Sequence, residues 1–340
     1  MTLPDLLAAI ILAALIAYAL TGGADFGGGV WDLLASGPRA DRQRETIARA
    51  IGPIWEANHV WLILVIVLLF TAFPPAFAAI MTALHVPIAI MLVGIVLRGS
   101  SFVFRTYDAT ADRVQRRWGY IFAVSSLLTP VLLGIVIGTL TTDAIRIDGD
   151  RVLGGFFRPW LRPFPFAVGL FALAQFALLA ATYLTVDADD EPLRDDFRAR
   201  ALAAAFAVGA LAWILILLAR HAAPHLAAGL LASPWTWPLH AATAAAALGT
   251  IAALWFRRFR IARVLAATQV ALVLLGWGLA MHPFLIFRFL TIHDAAAPTT
   301  TLRLVLIALL AGSVLLFPAL YYLIRTFKGG LIFAPLRRDS

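Results

Sequence analysis

Cysteine is absent from the 340 residues, and lysine occurs once, at Lys328. Without a thiol the chain has no disulfide framework, thiolate nucleophile, cysteine zinc site or iron–sulfur cluster. Charge is scarce as well: 14% of the side chains are Asp, Glu, Lys or Arg, against 62% hydrophobic. A soluble globular domain carries about 25%, so too few charges are present to coat a water-facing surface. The net charge is +8 and the mean hydropathy +0.89. In so apolar a chain, basic loops facing an anionic bilayer explain that charge better than nucleic acid, and no nucleic-acid partner is expected. Runs of alternating apolar and polar residues, the mark of a membrane β-barrel, do not recur.

Helix-length apolar sequence fills the chain instead. A hydrocarbon core about 30 Å thick takes roughly 20 apolar residues in a helix. Nine stretches qualify: Leu6–Ala24, Ile54–Phe73, Ala76–Leu97, Trp118–Leu140, Phe164–Thr185, Ala201–Ala219, Pro238–Phe256, Ile261–Met281 and Leu302–Ile324. Apolar on every face, they predict an all-α integral membrane protein with nine transmembrane helices. The opening Met1-Thr2-Leu3-Pro4-Asp5 carries no basic residue and leads to no Ala-x-Ala site, so the first span reads as a retained helix. Of the 27 Lys and Arg residues, 20 fall on the tail and on the loops that follow odd-numbered spans, and 7 on the other side. The positive-inside rule then places the C-terminus in the cytoplasm and the N-terminus outside. Trp31, Trp55, Trp118, Trp160, Trp235 and Trp237 sit near span ends, as in an aromatic belt. The segment Asp187–Arg200 mixes both signs and reads as a solvated stretch able to extend the sixth helix.

A charged side chain at the bilayer centre costs about 2.5–3.5 kcal/mol, so intramembrane ionisable residues are the first functional suspects. The clearest are Asp25 at the end of the first span and Glu56 with His59 at the start of the second. Glu56 and His59, spaced i, i+3, share a helix face, and Pro53 suits a first helical turn. Two carboxyls and an imidazole at one depth can carry protons. The alternative is that the acids cap helix ends or pair with Arg49 or Arg98. The cluster Gly22-Gly23-Ala24-Asp25-Phe26-Gly27-Gly28-Gly29 follows a membrane-length run, not a strand, and is no dinucleotide fingerprint. It either ends the helix or lets another backbone come close. His85, His240 and His282 fall near the outer edge, where a pair of axial haem ligands is imaginable. Each lies near a proline at a span end, however, and interfacial histidines satisfied by water or backbone are commoner. No cofactor or metal is therefore assigned to this chain.

At Gly22-Gly23-Ala24-Asp25-Phe26-Gly27, followed by Pro53-Ile54-Trp55-Glu56-Ala57-Asn58-His59-Val60-Trp61-Leu62, the sequence resembles subunit II of cytochrome bd-type quinol oxidases. Leu97-Arg98-Gly99 with Phe102 and Arg105 resembles that family's third-span exit, and Ala181-Thr182-Tyr183-Leu184 its fifth-span end. Pro283, Leu290-Thr291-Ile292, Ala295-Ala296-Ala297-Pro298, Phe317-Pro318 and Phe327-Lys328-Gly329 extend the likeness over essentially the whole chain. The resemblance implies one membrane domain over 1–340, built as two four-helix bundles (1–141 and 164–281) plus a peripheral helix (302–325). It implies a partner, a similarly folded subunit I that holds the quinol site, two b-type haems and one d-type haem; a small single-helix subunit is left open. This chain would then be the non-haem subunit of a bacterial inner-membrane complex that oxidises quinol and reduces oxygen to water, and would contribute to the cytoplasmic proton path.

Carried over by position, Asp25 and Glu56 match the family's acidic sites, with His59 beside them. Gly22, Gly23, Gly27, Trp55, Asn58 and Trp61 become candidates for the contact with subunit I. Two departures stand out: Val103 occupies a place where many members have a carboxylate, and Val186-Asp187 stands where relatives often carry Lys-Thr. The competing class is a proton- or ion-coupled secondary transporter. Such proteins break helices at mid-bilayer in both halves, whereas prolines and glycines here cluster at span edges, Pro130 excepted.

Overall fold

The computed structural model describes residues 2–52, 55–107, 112–149 and 151–332. In chain order the helices are α1 (Leu3–Leu33), α2 (Ala40–Ile51), α3 (Trp55–Ala72), α4 (Pro74–Ala83), α5 (His85–Tyr107), α6 (Asp112–Leu140), α7 (Pro163–Asp187), α8 (Glu191–Ala222), α9 (Pro224–Leu231), α10 (Thr236–Trp255), α11 (Phe259–Met281) and α12 (Thr299–Ile332). Two antiparallel hairpins sit in loops: β1 (Arg146–Asp148) with β2 (Arg151–Leu153), and β3 (Phe284–Ile286) with β4 (Leu290–Thr291). Nine helices among the described residues, all but α2, α4 and α9, are long and apolar enough to cross a membrane. Pro53, expected in a first helical turn, lies outside the described residues.

Several span boundaries differ from expectation, among them the end of α1 and the start of α5. The glycine cluster does not end the first helix: α1 runs on to Leu33, which puts Asp25 about 12 Å inside its end at 1.5 Å per residue. The apolar run Ala76–Leu97 is not one helix either. It breaks at Leu84 (φ −119°, ψ 18°), between α4 and α5. The cause is Pro87, whose ring would clash with the carbonyl four residues back, at Ala83.

The chain uses this device twice. Phe73 (φ −135°, ψ 57°) and Ala223 (φ −142°, ψ 62°) are both fully buried, and each is followed by a proline that opens a short helix. The next span carries a proline at its third position in both cases, Pro87 in α5 and Pro238 in α10. A hairpin follows two spans later each time. Packing repeats too: α5 lies on α6 as α10 lies on α11, and α6 meets α7 as α11 meets α1. At the centre α1 lies directly against α7. A Cβ on Gly27 would strike the backbone carbonyl of Phe176, and one on Gly23 would meet the Phe176 ring. This is the close-approach reading of the glycine cluster. Helix α12 lies outside, touching α3 and α1.

On the side where α1 ends and α3 begins, α8 does extend beyond its apolar run, starting at Glu191. Its acidic first turns are not merely solvated. They bind the arginines of α2 and of the α10–α11 turn: Arg39 pairs with Asp196 (2.6 Å), Arg42 with Asp190 (2.7 Å), Arg49 with Asp189 (2.6 Å), and Arg257 with Glu191 (2.7 Å) and Asp195 (3.0 Å). The Arg42 contact and the Leu193 N–H hold the Asp190 carboxyl below the usual carboxylate range. Each exposed pair is worth little alone. Buried Gln43, Thr46, Ile47 and Ile51 complete the seat of α2.

Candidate functional site

Where α1, α3, α5 and α6 converge, a polar cluster interrupts the apolar interior. Asp25 is 6% exposed, and the Asn58 amide donates to its Oδ2 at 2.5 Å. Arg98 of α5 is 2% exposed. Its Nη2 donates to the Asp25 carbonyl (2.9 Å), its Nε to Ser126 Oγ (3.3 Å), and its guanidinium lies 4.8 Å from the Phe26 ring centre and 5.2 Å from that of Phe122. The Asp25 carboxylate is within Coulombic reach of that guanidinium. A buried arginine cannot shed its proton, so an acid, hydrogen-bond acceptors and aromatic faces together are what its burial demands.

His59 sits at the edge of this cluster, half-buried. Its Nδ1 is 3.5 Å from the Tyr18 hydroxyl, and its ring meets those of Tyr18, Phe26 and Trp55. Glu56 does not join Asp25. At about 100° per residue, Glu56 lies some 200° around α3 from Asn58, and it is exposed while Asn58 is buried. Glu56 instead heads a stripe with Ile63 (58% exposed), Val67 and Phe70 (59% exposed). The two acids thus stand on opposite sides of α3, with His59 between the exposed stripe and the buried cluster.

The remaining sequence candidates divide in the same way. Gly22, Gly23 and Gly27 are buried inside this chain, against Tyr18 and Phe176. Trp55 packs half-buried against Gly99 and Phe102, and Trp61 is partly buried beside Leu62 and Val65. Arg49 is engaged by Asp189 and not by either acid, whereas Arg98 does meet Asp25. Tyr18 and Ser126 were missed. Tyr18 stands seven residues before Asp25, on the same helix face, which is a signal the sequence carried; nothing in the sequence links Ser126 to Arg98.

The histidines considered as haem ligands have local partners. His85 Nδ1 is 2.9 Å from the Thr82 carbonyl, His240 Nε2 2.7 Å from that of Leu230, and His282 Nε2 3.8 Å from Asp5. Among the described residues no group of three or more His, Asp or Glu side chains could hold a metal ion.

A family model described as cytochrome bd terminal oxidase subunit II matches residues 3–327. Subunit 2 of the Escherichia coli K12 cytochrome bd-I ubiquinol oxidase is 29% identical over 175 residues, 50% of this chain and 45% of that protein. The chain thus spans about half the length of that relative. A putative cytochrome bd menaquinol oxidase subunit II of Bacillus subtilis is 23% identical over 94% of this chain and 93% of its own. The fold matches a chain of the bd oxidase from Geobacillus thermodenitrificans with a TM-score of 0.81 and 23% identity, covering 98% of this chain and 100% of that one. With a family match across nearly its whole length, nine candidate spans among the described residues and the Asp25–Asn58 contact joining its two motifs, the chain belongs to the cytochrome bd terminal oxidase subunit II family.

Proposed function

We propose that this chain is the haem-free subunit of a quinol-oxidising, oxygen-reducing membrane complex, and that it supplies part of the proton route from the cytoplasm. In this reading a similarly folded subunit I carries the haems and the quinol site, and covers the stripe that Glu56 heads. The observation that carries the reading is Glu56 itself. A carboxylate at the head of an exposed apolar stripe is costly against lipid and useful against a protein partner that needs protons. Glu56 and His59 form this chain's part of the route at the exposed face, and Asp25 stands apart from them in the buried cluster.

Quinol oxidation releases protons on the outer side, and oxygen reduction takes them from the inner side. Charge is thereby moved against about 2.3 kcal/mol per elementary charge per 100 mV. The cation count supports placing the α2 side in the cytoplasm, with both termini oriented as the positive-inside rule expects. The repeated packing supports two four-helix groups, 1–141 and 164–281, with 302–325 peripheral. Pro130 and Pro318 lie within continuous helices, which speaks against the broken mid-membrane helices of a transporter. The test is purification of the tagged chain in mild detergent, with reduced-minus-oxidised spectra and quinol-dependent oxygen uptake. Copurification of a haem-bearing subunit with that activity is the expected result; a stable, colourless, inactive chain would refute it.

A further inference from the structure

We infer that Asp25 is a positioning residue and not a proton carrier: it is the fixed counter-charge of Arg98 and the anchor that sets the rotation of α3. The inference deepens the proton-path reading and rests on it for the role of Glu56. Arg98 is buried, and one edge of its guanidinium is held, Nη2 by the Asp25 carbonyl and Nε by Ser126. Phe26 and Phe122 cover its faces. A group so enclosed stays charged, and Asp25 is the carboxylate within Coulombic reach of it. If Asp25 took up a proton, a guanidinium would be left uncompensated in the membrane interior, so each turnover would have to remove and restore the counter-charge of a buried cation. A relay needs the opposite, an acid whose two protonation states are close in free energy.

The same carboxylate accepts the Asn58 amide. That bond fixes which face of α3 turns inward, and helical arithmetic then places Glu56 on the outward face. The two acids therefore have separate duties: Asp25 orients α3, and Glu56 exchanges protons at the exposed side. His59, three residues after Glu56 and next to Tyr18, marks the boundary between them.

The experiment compares Asp25→Asn, Asp25→Glu, the charge-neutral double variant Asp25→Asn/Arg98→Gln, and Glu56→Gln, each in the full complex. Haem content, turnover per haem and the pH profile of turnover are measured together. Asp25→Asn should lower assembled complex at least about fivefold, because it strands the buried cation. The double variant should recover assembly, with turnover per haem and pH profile like the parent. Glu56→Gln should show the reverse, normal haem content with turnover lowered about tenfold or more. A double variant that assembles with normal haem but loses turnover tenfold would overturn the inference. If neither Asp25→Asn variant assembles, redox-difference infrared spectra of Asp25→Glu decide: an unchanged protonated-carboxyl C=O band supports the inference and a shifted one overturns it. Unchanged turnover in Glu56→Gln would instead refute the proton-path reading, and leaves the Asp25 result separately readable.

Discussion

Gly27→Ala adds one methyl group at the crossing of α1 and α7. That Cβ would overlap the Phe176 carbonyl oxygen and lie 2.5 Å from its carbon and 2.8 Å from the Ala180 Cβ. Carbon atoms settle at about 3.5–4.0 Å, so the helices must part by roughly an ångström. The obstacle is main chain held in a helix, which cannot swing aside as a side chain would. Overpacking of a filled core costs about 1–3 kcal/mol, occasionally more, and the better helix propensity of alanine offsets about 1 kcal/mol. With main chain as the obstacle the upper end of that range applies, so a net loss of about 2 kcal/mol is expected, or about 4 °C in melting midpoint at the lower slope for large domains. Gly209→Ala is the control, because a Cβ there meets nothing within 4 Å. The assay heats detergent-solubilised protein and measures the fraction that remains monodisperse. Equal midpoints for the two variants would refute the close-approach account of the glycine cluster.

Two further outcomes follow from contacts elsewhere. Trp31→Phe removes the buried Nε1 bond to the Ala177 carbonyl (2.8 Å), an acceptor that keeps its own partner within α7, so the same assay should show a loss of about 0.5–1.5 kcal/mol. The α2 clamp should loosen in acid. Asp190 is held below its ordinary range, so its stabilisation is present above the unfolded carboxylate value of about 3.9 and is lost as pH falls through the lower folded one. Hydrogen-exchange protection in residues 40–51 should fall over that window, and Asp190→Asn should show the weakened protection already at neutral pH. Unchanged protection in the variant would mean that the Arg42–Asp190 pair does not help to seat α2.

The membrane spans were legible because burial in hydrocarbon needs only length and hydropathy, and most boundaries fell within a few residues. The misplaced ends of α1 and α5 have different causes. Glycine, a helix terminator in water, is tolerated inside α1 because α7 packs directly on it, and that neighbour is more than a hundred residues away in the chain. The break at Leu84 was present in the sequence as Pro87, but the continuous apolar run hid it. The repeat of the two halves was marked in the sequence only by matching prolines, Pro74 with Pro224 and Pro87 with Pro238, because the residues at the turns themselves, Phe73 and Ala223, differ. At the candidate site the participants Asp25, Glu56, His59 and Arg98 were all visible. Their grouping was not, although Asn58 stands two residues after Glu56 and therefore on the far side of the helix.

Steady-state oxygen uptake by assembled Glu56→Gln complex, across pH at matched haem content, bears most directly on the proposed proton supply. A fall of about tenfold or more, steepest at alkaline pH where protons are scarce, is the predicted outcome. Turnover and pH profile superimposable on those of the parent protein would contradict it.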